Sequence, residues 1–215
     1  MIRFTALIAT VLLATATSVL AQAAWEVPLQ AQLEKFEAAP SPTTLAEVSP
    51  VIERIALANV DAWLPNYYAA RTQQLAHYMA GEDGCKKCIE KMDAFLAAAE
   101  KADNNSEVMT MRASYYQTML SLHPMRAPYY GPKAGNLLEA AMEADPTNPR
   151  AASLAGQNAY YTPAMFGGGA TVAAPLLAKA VKLFEAEAGK ERGLLPTWGA
   201  ERASLMHGKA VAAAE

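Results

Sequence analysis

Apolar residues recur at helical spacing through most of the chain. In CIEKMDAFLAAAEKA the positions Ile89, Met92, Leu96 and Ala99 fall at three- and four-residue steps, and KAGNLLEAAMEA repeats the pattern with Leu137, Leu138, Ala141 and Met142. No stretch alternates apolar and polar positions for long enough to predict a strand. The long segments are filled by Ala, Leu, Met, Glu, Lys and Gln, all strong helix formers. The pattern therefore predicts an all-α fold. Punctuation at Pro40–Pro42, Ser49-Pro50, Gly81–Gly84, Asp103–Asn105, Pro124–Pro132, Asp145–Pro149, Pro163–Gly169 and Pro196 cuts the chain into helices. Each would run about three to five turns. Residues 24–50 read as an amphipathic helix around LQAQLEKFEAA followed by a Pro/Ser/Thr-rich linker.

The helical segments repeat. FLAAAEKADNNSE (Phe95–Glu107) overlays LLEAAMEADPTNP (Leu137–Pro149) at an offset of 42 residues, and LLAKAVKLFEA (Leu176–Ala186) follows 39 residues later. Each of the first two junctions leads into a tyrosine-bearing helix, VMTMRASYYQTML or RAASLAGQNAYY. A regular spacing of this size marks stacked helical hairpins, none of which can bury its apolar face without its neighbour. About three antiparallel hairpins plus terminal helices are expected. The turn EADPTNPRA, with Asp145-Pro146 ending one helix and Asn148-Pro149 starting the next, is similar to the junction of tetratricopeptide repeats. These repeats are longer than the usual length of about 34 residues. WLPNYYAA, GQNAYYTPAMFGGG and PTWG resemble a group of exported, tetratricopeptide-like bacterial proteins, over roughly Leu57 to Leu205. That resemblance implies a helical-repeat solenoid and an exported protein. It carries over no catalytic residue.

Charge and composition narrow the class. The opening MIRFTALIATVLLATATSVLAQAA has one arginine, an apolar run and a small-x-small site at Ala21–Ala23, the form of a cleaved signal peptide over residues 1–23. The expected compartment is the bacterial periplasm, with no stable membrane anchor after cleavage. Residues 24–215 have the length of a single domain. A formal net charge of −3 offers no basic patch for nucleic acid. Two cysteines in an exported chain of this size suggest one disulfide.

The extra length of each repeat falls between the two helices of a hairpin: AGEDGCKKC, HPMRAPYYGPK and TPAMFGGGAT. Stacked hairpins bring equivalent loops to one edge, which makes that edge the expected site of function. Cys85 and Cys88 read as a local disulfide, with a thiol-redox or metal-handling role as the alternative; Lys86 and Lys87 would favour a thiolate. The haem-attachment pattern is absent, because Ile89 stands where histidine is needed. Tyrosine pairs recur on the first helix of each hairpin. The candidate binding residues on edge and groove are Tyr68, Tyr116, His123, Arg126, Tyr129, Tyr130, Tyr160, Tyr161 and Phe166. Met165 and Phe166 are expected to tuck the third loop against the loop before it.

The scattered methionines read as core packing rather than a copper site. Glu82 and Asp83 read as solvated loop acids. No nucleophile-elbow, zinc-protease or nucleotide-loop signature occurs, and the triple glycine follows a predicted helix rather than a strand. No cofactor, catalytic residue or metal site is expected. The reading is a non-catalytic scaffold or adaptor for a protein or peptide.

Overall fold

The computed structural model describes residues 24–81 and 84–215. The expected signal peptide and the Glu82-Asp83 pair lie outside the described residues. Among those described there is no strand, and nine α-helices follow one another: α1 (Glu26–Ala38), α2 (Pro42–Ala58), α3 (Trp63–Met79), α4 (Lys86–Ala102), α5 (Ser106–Leu122), α6 (Ala127–Ala144), α7 (Pro149–Tyr161), α8 (Ala170–Glu187) and α9 (Ala200–Ala214). Short 3-10 turns, Pro124–Arg126 and Ala164–Phe166, precede α6 and α8. None of these helices is long and apolar enough to cross a membrane.

Sequence chemistry explains the helix starts. Ser41 accepts from the Thr44 amide ahead of Pro42 in α2. Asn105 accepts from the Glu107 and Val108 amides at the start of α5, and Asn148 does the same for Arg150 and Ala151 in α7. These are N-caps, which satisfy amides that have no partner within the helix.

Prolines break fewer helices than their positions predict. The stretch expected as a linker, up to Pro50, is the first half of α2, which continues through that residue. The second hairpin loop is likewise shorter than HPMRAPYYGPK suggests, because α6 starts at Ala127 and contains Pro132. Pro175 sits inside α8 in the same way. A single internal proline removes one backbone hydrogen bond, and packing against neighbouring helices can offset that loss.

Neighbouring helices pair as antiparallel hairpins: α1 with α2, α3 with α4, α5 with α6, and α7 with α8, with α9 covering the last. The first helices also line up, α3 against α5, α5 against α7 and α7 against α9, while α4 meets α5 and α6 meets α7. This is the stacked arrangement that the repeat spacing predicts. The largest apolar cluster joins α1 to α5 and includes Leu29, Val48, Ile52, Tyr67, Met92, Leu96 and Met111. Each such side chain contributes about 1.5–3 kcal/mol on burial. Further along, α7 and α8 approach closely at Gly156, where a Cβ would stand 2.5 Å from Leu177 Cγ.

Polar groups tie the hairpins at the opposite edge from the loops. Arg150 is fully buried and bonds both Glu107 on α5 (2.8 Å) and Glu187 on α8 (2.8 Å). Arg192 adds a second cation to Glu187 at 2.8 Å. Burial holds the Glu107 carboxyl above its ordinary range, with the two arginines opposing that shift.

Candidate functional site

The tyrosine pair of the first hairpin is covered by the chain itself. Between α8 and α9 the segment around Leu194–Trp198 crosses back to α3. The Tyr68 hydroxyl donates to the Leu194 carbonyl (2.8 Å), and Trp198 Nε1 donates to the Tyr67 hydroxyl (2.8 Å). The Arg71 guanidinium lies 4.3 Å from the centre of a Trp198 ring. Tyr67 and Tyr68 are both buried. Tyr68 therefore serves packing, not an open groove; the PTWG stretch is what fills the space it faces.

The loop edge has a different character. At the first hairpin Cys85 and Cys88 are joined in a disulfide that caps the start of α4. Buried His77 holds it from behind, its Nδ1 accepting from the Cys85 amide at 2.9 Å. At the second hairpin every residue from Ser121 to Tyr129 is exposed, including Leu122, His123, Met125 and Arg126. His123 ends α5, its amide bonded to the Met119 carbonyl.

Four of the predicted residues come together next to this segment. Tyr116 stacks on Tyr130 (6.1 Å), and Tyr129 meets Tyr130 edge-on (5.0 Å). Arg126 donates to the Tyr130 hydroxyl at 3.3 Å. Lys133 donates to the Tyr129 hydroxyl at 2.8 Å and lies over the rings of Tyr129 and Tyr116. That hydrogen bond lowers the Tyr129 phenol below its usual value, because the ammonium stabilises the phenolate.

The other predicted tyrosines part company. Tyr160 packs with Leu177, Met206 and Ala210 between α7, α8 and α9. Tyr161 is exposed, with its hydroxyl 4.0 Å from Met206 Sδ.

At the third hairpin the glycines turn a corner. Gly167 and Gly169 have φ of 82° and 103°, and the Gly169 amide bonds the Ala159 carbonyl at 2.9 Å. At Gly168 a Cβ would lie 2.2 Å from the Thr162 carbonyl oxygen, so the chain closes only without a side chain. Met165 and Phe166 do not tuck against the preceding loop. They stand 83% and 71% exposed, because the turn presses its glycine backbone, rather than these side chains, onto the end of α7.

Phe166, Gly167 and Gly168 form one wall of a groove of about 390 Å³ between α6 and α7. Leu138, Met142, Ala155 and Ala159 supply its apolar lining, with Gly135, Asn158, Glu139 and Thr162 at the same site. It is an open groove with an apolar lining and a few polar groups. A second groove, of about 350 Å³, lies between α2 and α3. Its polar groups Ser49, Gln73 and Glu53 already bond one another, and Lys91 pairs with Glu53.

Sequence reasoning named Phe166 but missed Gly135, Met142 and Lys133. An isolated glycine inside a helical pattern was a signal for Gly135. The four-residue step from Tyr129 was a signal for Lys133.

Stacked hairpins, a first tyrosine pair covered by the chain and an open groove at the loop edge define a helical scaffold. The structure is similar to the HusA haemophore from Porphyromonas gingivalis, with a TM-score of 0.76 and 28% sequence identity, covering 89% of this chain and 95% of that one. No protein-family model matches the chain, and no curated protein does.

Proposed function

We propose that this chain is a non-catalytic, exported carrier that binds a flat, largely apolar ligand of the haem class in the groove between α6 and α7. The observation that carries the reading is that groove, found in a fold shared nearly end to end with a haemophore. Gly135, Ala155, Ala159, Gly167 and Gly168 present one carbon or none, which leaves room for a planar ring. Exposed Phe166 can stack on one face of such a ring, and Met142 offers a soft thioether on the lining. Export accords with the expected signal peptide and with the Cys85–Cys88 disulfide, since such bonds persist outside the reducing cytosol.

The test uses Gly135. A Cβ there has only Asn158 Nδ2 within 4 Å, at 3.8 Å, so the position accepts a side chain, and Gly135→Leu extends one from the groove wall. Haem is titrated into the chain beginning at Ala24 and followed by its visible absorption. Saturable one-to-one binding is expected. Gly135→Leu should weaken it by about tenfold or more, equivalent to ~1.4 kcal/mol, while helix stability holds or rises. Equal affinity in the two proteins would rule the groove out.

A protein or peptide partner is the second reading, and the exposed turns Pro124–Arg126 and Ala164–Phe166 favour it. In the thiol-redox alternative the Cys85–Cys88 disulfide is the oxidised half of the couple, whereas metal handling needs that bond reduced to free thiolates.

A further inference from the structure

The most exposed large apolar side chains of the described residues include Met125 at 94%, Met165 at 83% and Phe166 at 71%. All three lie on 3-10 turns that follow successive first helices, α5 and α7, and so occur at equivalent points of adjacent hairpins. Tyr129 and Tyr161, both more than half exposed, stand within a few residues of those tips. Single exposed apolar residues need no explanation, but a repeated set on one edge does.

The charge around them is one-sided. The whole chain carries more acids than bases, 21 against 18. Yet residues 113–138 contain Arg126 and Lys133 and no Asp or Glu, and residues 151–178 contain no charged residue at all. The Lys86–Glu90 pair lies in the neighbouring hairpin.

We propose that the edge formed by the second and third hairpin loops docks on an anionic lipid bilayer, with Met125, Met165 and Phe166 entering the interface and Arg126 and Lys133 meeting lipid phosphates. Apolar tips, tyrosines and cations at equivalent points of adjacent hairpins match what a bilayer interface offers: acyl chains, a headgroup zone suited to amphipathic rings, and negative charge. Glu139, in the groove beside Phe166, is the carboxylate nearest in sequence to these tips, so little repulsion opposes such a surface. Docking would turn the mouth beside Phe166 towards the membrane. The inference stands on surface chemistry and does not require the haem reading.

The experiment uses the chain beginning at Ala24, so that the apolar leader cannot supply the binding; the buried core runs from Leu29 to Ala210 and is retained. Flotation is measured, without haem, on phosphatidylcholine vesicles and on vesicles with about 30% phosphatidylglycerol. The wild type should float with the anionic vesicles and be released by salt. Met125→Ser/Met165→Ser should lower the affinity by about tenfold. Arg126→Gln/Lys133→Gln should lower it by about fivefold per cation removed. Both variants should keep the wild-type helical circular dichroism, and the second touches only exposed or half-exposed side chains. A wild type that stays off anionic vesicles overturns the proposal, whether a second copy or another protein then proves to cover the face. Binding unchanged in both variants overturns it equally.

Discussion

The two ends of the second and third hairpins are built on opposite terms. At the junction end, Asn105 and Asn148 cap their helices, and Arg150 is wholly buried between Glu107 and Glu187. Polar groups there mostly find partners, the buried Arg192 Nε being the exception among the described residues. At the loop end, Met125, Met165 and Phe166 are open to water, and the corner is made from glycines. The same repeat thus places its stability at one end and leaves apolar surface at the other. Apolar side chains that add nothing to the core are where a binding partner can gain most.

The largest effect should come from the closed end. Arg150→Ala removes the cation between two carboxylates and opens a cavity. Loss of one partner from a buried ion pair costs about 3–5 kcal/mol. The low end is expected because Arg192 still pairs with Glu187. Met125→Ser at the open end should change stability by no more than about 0.5 kcal/mol. Urea denaturation of both variants measures the contrast. Similar losses in the two would erase the distinction between the ends.

Gly168→Ala sharpens the contrast by testing the one part of the loop end that is tightly built. Its Cβ would meet the Thr162 carbonyl at 2.2 Å and the Ala159 carbonyl at 2.7 Å, both backbone atoms with little freedom to move. A loss of about 1–3 kcal/mol is expected, together with weaker haem binding as the groove wall shifts. Gly167 carries the left-handed φ with open space around it, so Gly167→Ala should cost less, about 1 kcal/mol. A ranking of Gly167 above Gly168 would show that backbone angle, not the close approach, shapes this corner.

Much of this was readable before any coordinates. The hairpin order followed from the repeat spacing, and the DPTN turn gave the α6–α7 junction, because local chemistry governs helix ends. Arg126, Tyr129 and Tyr130 were expected on the loop edge and Tyr116 in the groove, and the structure sets the four side by side. What stayed hidden was non-local. Nothing near Tyr68 or Trp198 reveals that the PTWG segment would cross to α3 and cover Tyr67 and Tyr68. Nor does any local pattern show which face of α6 Gly135, Leu138 and Met142 would share with α7. Pro50 and Pro132 misled because packing against neighbours outweighs a single missing hydrogen bond.

The smallest expected effect separates tyrosines at the two kinds of site. Burial is the main cause that raises Tyr67 and Tyr68 above the ordinary phenol value of about 10. Their folded pKa exceeds the unfolded one, so the stability they contribute is intact below about pH 10 and is lost as pH rises further. Tyr129 is exposed and shifted the other way by the Lys133 hydrogen bond. In a titration followed near 295 nm, one phenol should ionise ahead of the rest, and Tyr67 and Tyr68 should ionise only as the chain unfolds. Lys133→Gln should move the early step back up towards the ordinary value and leave the late one in place. If the early step survives Lys133→Gln, the ammonium is not what favours the phenolate, and the cation on this edge has no hold on the tyrosine beneath it.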